Sequence, residues 1–472
     1  MNRESFLILI LLSLLLLLTG CASEKDINKA YILTSLSPEH AEMLAGAVGA
    51  PGEIYDFKIE IINIDDPEQY YDSLKSVLTN TVTGPVVALV PPDKAQLLVN
   101  QSLILQLSNF VDEGVLKDDL ASFTGESIKQ GIVEGKLYCY PYYISTILTF
   151  YHRDRVRDAV ELYRRHYARM DSILKMENFE GFPVDYNLEI NPSEWDYFDI
   201  FTAGYFWAHD SVSQKPHPGV AHYGGFNSYL IRDFSVRNFC LGAKPSDLLN
   251  INHRHSIEQL RWESLFFKYG IYNRAFEDSS WGRYDLAERF INGDVYYCQL
   301  DVTDLYSRLP EDIPDKYDIH PAVIPRAVSL NIKFNGHPER IGYRFSILDG
   351  FMLAVPANSP NRELSFKIIQ KLVSRDHQED ICRDFGCYPV RERLTSNLKE
   401  FVRPQWKLRV METIRTQIEI GLIPEPMVGK YREDVREFYE AYREYSFRKM
   451  VTDPVDIETS LYSQNRGWGA GR

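Results

Sequence analysis

The side chains here whose types and spacing could support metal binding or hydrolysis are a few histidines and paired carboxylates. His253 and His255 flank Arg254. On a helix, residues two apart do not share a face, and no third ligand lies near, so solvated loop histidines are expected rather than a metal centre. His217 and His222 flank Pro218-Gly219-Val220-Ala221 without the i, i+4 pairing of a zinc hydrolase. Asp65-Asp66 and Glu311-Asp312 are the kind of carboxylates that glycoside cleavage requires on either side of a bond, but nothing sets any two opposite one another, and an acidic surface accounts for them. No glycine-rich phosphate loop or nucleophile elbow stands out. The expectation is a protein that is not an enzyme and uses neither cofactor nor metal.

Cysteine chemistry points to compartment. An uncharged apolar run from Phe6 to Leu18 follows Arg3 and ends in Leu18-Thr19-Gly20-Cys21. It is short for a membrane span and stops at small residues, as a secretory h-region and its cleavage site do. An uncleaved anchor is the alternative. Cys139, Cys240, Cys298, Cys382 and Cys387 remain after it, an odd number that leaves no complete disulfide framework. Buried free thiols are expected, with Cys382 and Cys387 the one local pair.

The elements that must position any site belong to a large chain. With 472 residues it exceeds the roughly 250–300 at which single cores stop growing, so two lobes are expected. A net charge of −14 argues against nucleic acid or an anionic bilayer as partner. Lys29 to Ser35 reads as a strand, Pro38 to Val48 as a helix, Lys58 to Asp65 as a strand, Tyr70 to Asn80 as an amphipathic helix and Pro85 to Val90 as a buried strand. This alternation implies an α/β unit with a parallel sheet, whose ligands sit beyond the carboxyl ends of the strands, here the loops Thr34 to Ser37 and Pro91 to Lys94. Gly135 to Tyr143 continues through Ile144 to Tyr151, an extended stretch suited to a strand passing between two lobes. Helices are expected at Arg155 to Leu174, Ile257 to Tyr269, Asp285 to Asn292 (closed by Gly293) and Tyr431 to Met450.

Several segments resemble one family. Leu18 to Cys21 resembles a bacterial lipoprotein signal, in which cleavage precedes the cysteine and a diacylglyceryl group is placed on its sulfur. Gly135-Lys136-Leu137-Tyr138 through Pro141-Tyr142, Pro192-Ser193-Glu194-Trp195-Asp196, Phe290-Ile291-Asn292-Gly293-Asp294, Gly350 to Pro356, and Pro389-Val390-Arg391 resemble, in order, motifs of the sugar-binding and oligosaccharide-binding proteins of bacterial ABC importers. Asp349 stands where the family has a first glycine, and Val295 to Asp301 replaces an Ala-Met stretch.

The resemblance implies a two-lobed periplasmic-binding-protein fold of type II, each lobe an α/β sandwich, joined by a multi-strand hinge. Residues 1–20 would be the signal, 21–29 a tether, 30–143 and 319–373 the first lobe, and 144–318 and 374–472 the second, with crossings near Tyr143, Asp318 and Ser374. It also implies a monomer, lipid-anchored outside the cytoplasm, that captures a sugar or oligosaccharide and presents it to the transmembrane subunits of an ABC permease; a tethered sensor or adhesin of the same fold, or a secreted carbohydrate-active enzyme, is the alternative. Tyr and Trp in the cleft suit sugar faces, apolar below and polar at the edge. The candidate ligand-binding residues are Ser35, Ser37, Asp93 and Asp349 from the first lobe and Tyr142, Tyr143, Tyr223, Trp281 and Asp301 from the crossing and second lobe, with one of Tyr142 and Tyr143 facing the cleft. Trp195 is expected to anchor its helix instead.

Overall fold

The structure is a computed structural model describing residues 29–49, 58–64, 67–80, 84–176, 181–183, 185–212, 215–223, 228–244, 253–273, 281, 283–306, 308–310, 317–329 and 342–424. The lipoprotein-like leader and the expected helix Tyr431 to Met450 lie outside the described residues.

The described strands are β1 (Lys29–Thr34), β2 (Lys58–Asn63), β3 (Val87–Val90), β4 (Ile132–Val133), β5 (Lys136–Leu137), β6 (Cys139–Ser145), β7 (Ile147–His152), β8 (Val220–Ala221), β9 (Tyr297–Asp301), β10 (Ile319–Ala322), β11 (Ser346–Ala354) and β12 (Leu422–Pro424). The first sheet runs β12-β11-β3-β1-β2, with β6 also paired to β11. Its β1, β2 and β3 are parallel, joined by the helices Pro38–Gly49 and Pro67–Asn80, as alternating strand and helix patterns require. The second sheet runs β10-β7-β9-β8. Every residue of β3, β6, β7 and β9 is buried, so these strands carry near-continuous apolar sequence rather than alternation.

The long extended stretch does pass between the sheets. β6 belongs to the first sheet and β7 to the second, with Thr146 between them. The Thr146 hydroxyl lies 2.7 Å from the Ile347 carbonyl and 2.8 Å from Ser346 Oγ, and Ser346 Oγ donates to the Ile147 carbonyl at 2.7 Å. β11 returns beside β6, and Tyr388 exchanges backbone hydrogen bonds with Ile144, so three segments meet at this junction. Gly350 is required there: at φ +124° it occupies a conformation that L side chains rarely adopt, and a Cβ would stand 2.1 Å from the Tyr143 carbonyl oxygen.

Two stretches sit opposite to the expected lobe assignment. Ile319–Ala322, read as first-lobe, pairs antiparallel with β7 in the second sheet. Asp318, at φ +50°, is not a crossing but the turn into that pairing, held by Arg153 at 2.8 and 2.9 Å. Leu422–Pro424, read as second-lobe, extends the edge of the first sheet along β11.

The helix Tyr197–His209 starts at Asp196, whose side chain and that of Asp199 form a reciprocal capping box. Trp195 just before it is fully buried, donates to the Glu189 carbonyl and stacks on Tyr297, an anchoring role. All five described cysteines are buried free thiols. His255 departs from the loop reading: it is buried in the helix Arg254–Lys268, its Nδ1 3.0 Å from that of His253. A cavity of about 30 Å³ in the second lobe, beside the buried Arg237–Glu263 pair, has room for about one water.

Candidate ligand-binding site

Beyond the carboxyl end of β1 lies a cavity of about 220 Å³ between the two lobes. The turn from β1 into the helix Pro38–Gly49 supplies one wall with Ser35, Ser37 and His40. This turn is fixed by Asn63 at the end of β2, whose amide accepts from the Leu36 N–H at 2.9 Å and donates to the Leu36 carbonyl at 2.8 Å. Ser37 starts the helix, its hydroxyl accepting from the His40 N–H at 3.3 Å. Ser35 is only 3% exposed, and its Oγ is buried without a hydrogen-bond partner. That oxygen lies within the wall rather than on the open space, and a buried hydroxyl left this way costs stability.

Tyr143 forms the floor on the crossing strand. The second lobe contributes Tyr284, Thr303 and Arg308, and the end of the helix Arg375–Phe385 contributes Asp384 and Phe385. Arg308 lies over the Tyr284 ring at 3.6 Å, and Thr303 donates to Asp301 Oδ1 at 2.7 Å. Phe385 stacks on His40 with ring centroids 4.5 Å apart. Hydroxyls, carboxylates, a guanidinium and aromatic rings thus converge on one space, a lining suited to holding a hydroxylated solute.

The strand alternation separates the two candidate tyrosines. Tyr142 turns away from the cavity and is fully buried, its hydroxyl 3.2 Å from His40 Nε2 and 2.9 Å from His377 Nε2. With one hydroxyl proton available, one imidazole accepts it and the other donates its own N–H. Burial holds His40 down at about 3 and His377 at about 4, so both are neutral at neutral pH.

Five other expected residues are not on the cavity wall. Asp349 on β11 is ion-paired with Arg232 on the helix Ser228–Cys240, and Arg232 also lies 3.7 Å from Asp301. Asp301 accepts from Ser145 Oγ at 2.7 Å and from the Thr303 N–H at 2.9 Å. Burial, then Asp304 and Asp349, push its carboxyl up to about 7, against the pull of Arg232. Tyr223 donates to Asp304 at 3.1 Å and accepts from the Asp301 N–H at 3.1 Å. Asp93 pairs with Lys94; burial raises its carboxyl, and Asp349 adds to the rise. Trp281 is 4% exposed in the second-lobe core, with Arg289 5.5 Å over its ring. Asp301, Asp349 and Arg232 thus form one charged cluster, with Asp93 close enough to feel Asp349 and Arg232, and Thr303 on the cavity wall bonds to its Asp301.

Sequence reasoning missed His40, Tyr284, Thr303, Arg308, Asp384 and Phe385. Thr303 was within reach of the rule that found Ser35, because it follows the carboxyl end of β9, which is parallel to β8. The others carry no local signal. Among the described residues no cluster of three metal-ligating side chains occurs.

The architecture is that of the two-lobed, type II periplasmic binding proteins. Maltose-bound MalE3 of T. maritima superposes with a TM-score of 0.65 at 17% identity, over 92% of this chain and 99% of its own. The GacH receptor of Streptomyces glaucescens, solved unliganded and with acarbose, gives 0.64 at 12% identity, over 93% and 98%. An ABC substrate-binding protein of Listeria monocytogenes in complex with cycloalternan gives 0.64 at 13%, over 93% and 97%. No curated sequence matches the chain. The chain belongs to the bacterial extracellular solute-binding proteins, whose family profile matches residues 52–402.

Proposed function

We propose that this protein is the substrate-binding component of an ABC importer, capturing a sugar or oligosaccharide between its lobes and handing it to the transmembrane subunits of a permease. It acts as a monomer, held outside the cytoplasm by a diacylglyceryl group on Cys21. The observation that carries the reading is the interlobe cavity, lined together by Ser37, Thr303, Asp384, Arg308 and the aromatic side chains of Tyr143 and Tyr284. The solved relatives hold maltose, acarbose and cycloalternan, all sugars, in the same fold. Closure of two lobes on a ligand needs no chemistry on the ligand itself, and the closed shape is what a permease recognises. Two acyl chains provide the stable anchoring that a single chain does not, and the tether raises the local concentration of binding protein at the permease.

Calorimetry of the purified protein against a saccharide panel tests the reading. At least one sugar should bind, and Arg308→Ala, which removes a lining guanidinium from a part-exposed side chain, should weaken it by about tenfold, the worth of one charged hydrogen bond. Binding of peptides or polyamines with no heat from any sugar overturns the sugar assignment. Copurification with permease subunits from detergent-solubilised membranes separates an importer component from a sensor or adhesin.

A further inference from the structure

We infer that His40 recognises a ligand hydroxyl through its ring nitrogen Nδ1, with Tyr142 behind it as the residue that positions it; the inference rests on the sugar-binding reading above. His40 stands in the first turn of the helix Pro38–Gly49, beyond the carboxyl end of β1, and lines the cavity. Its Nε2 lies 3.2 Å from the Tyr142 hydroxyl, on the side away from the cavity. The two nitrogens of an imidazole diverge across the ring, and among the described residues Nδ1 has no hydrogen-bond partner, so this edge is turned to the open space. Unlike the Ser35 hydroxyl, it is not sealed inside the wall. Burial keeps the ring uncharged, so Nδ1 carries either one proton or one lone pair. A sugar hydroxyl, donor and acceptor at once, meets either.

The ring is held in place without any ligand. Phe385 stacks on it with centroids 4.5 Å apart and planes 7° from parallel. Tyr143, also on the cavity wall, leans against it at 5.9 Å. The Tyr142 hydroxyl fixes the turn of the ring within its own plane and is itself fixed by His377 Nε2 at 2.9 Å. The His40 N–H donates to the Ser37 hydroxyl at 3.3 Å, which holds the backbone beneath. A polar edge set in this way among rings bonds a hydroxyl with little ordering cost, and a ligand lacking that hydroxyl leaves the nitrogen unpaired.

The test is calorimetry on the mature protein with the tightest-binding sugar of the panel and its complete set of monodeoxy derivatives. The parent should bind at least one derivative about tenfold more weakly than the sugar itself. His40→Phe keeps a ring to stack on Phe385 but removes both nitrogens. It should bind the sugar about tenfold more weakly and bind one such derivative as the parent does, the mark of one shared contact. Tyr142→Phe leaves the cavity wall unchanged and should shrink the penalty for that same derivative to about threefold. If it instead weakens the sugar and all derivatives alike, or weakens none, the positioning role is overturned. If the parent binds every derivative within about threefold of the sugar, the inference is overturned without recourse to a variant. A folded His40→Phe protein that binds the sugar as the parent does, or weakens every derivative alike, also overturns it and leaves the sugar reading standing; no heat from any saccharide overturns both.

Discussion

The guanidinium of Arg232, on a helix of the second lobe, is ion-paired with the carboxylate of Asp349, on the central return strand of the first. Arg232 is 7% exposed, with Asp301 in the same cluster and Asp93 close to it. Arg232→Leu leaves these carboxylates with Lys94 as the remaining cation named beside the cluster, and removing one partner of a buried pair costs about 3–5 kcal/mol. Because the Asp301 carboxyl is already raised above its unfolded value, the penalty should grow as pH rises through about 7 and shrink toward pH 5, where the carboxyl holds its proton. Urea melts of both proteins at the two pH values measure this; equal destabilisation at both removes carboxylate repulsion as the cause.

The buried chain from His40 through Tyr142 to His377 gives the opposite sign. Both imidazoles titrate well below the ordinary histidine value, at about 3 and about 4. Their contribution is therefore fully present above about pH 6.5 and is lost as pH falls toward those values, since the unfolded chain takes up protons first. Stability should decline between pH 6.5 and 4.5, and His377→Gln, which keeps a polar partner for Tyr142, should flatten that decline. An unchanged slope in the variant shows that other groups govern acid sensitivity.

Gly350→Ala meets both a left-handed φ and a carbonyl oxygen 2.1 Å from the new carbon. Neither can relax without separating β11 from β6 at the junction of the lobes, so a loss of about 4 kcal/mol or more is expected, among the larger effects of single substitutions. Far-UV circular dichroism followed by thermal melting reads it. A variant within 1 kcal/mol of the parent, by the order of surface substitutions, means the junction is softer than its geometry implies.

Cys21→Ala should abolish lipid attachment and move the protein from the membrane fraction to the soluble extracytoplasmic fraction, with loss of the acyl mass in intact mass spectrometry. Retention in membranes with an unmodified alanine points to an uncleaved leader as the anchor.

Much of the fold was legible because it is local. β1, β2 and β3 announce themselves as apolar runs separated by amphipathic helices, and that order alone places Ser35 and Ser37 at the ligand end of the sheet. The β6 to β7 passage was legible as an extended run too long for one sheet. The site was legible only where it is made by strand ends. Alternation along β6 says that only one of Tyr142 and Tyr143 faces the cleft, but which one is shown by His377, 235 residues further along the chain, which bonds the buried Tyr142. Asp301 and Asp349 read as candidate ligand-binding residues, but Arg232, distant in sequence, draws them into a charged cluster. Asp318 looked like a boundary because a turn and a crossing have the same local chemistry; only the pairing of β10 with β7 distinguishes them.

Thr146 and Ser346 lace two antiparallel passages together where both change lobes. Strands stitched at their midpoint cannot slide past each other without breaking side-chain to main-chain bonds, whereas they can flex together about a line through the stitch. These bonds oppose sliding of one passage along the other more than they oppose bending of both together. On the proposed importer function, this stitch is the line about which the two lobes would turn, so that closure presents one shape to the permease.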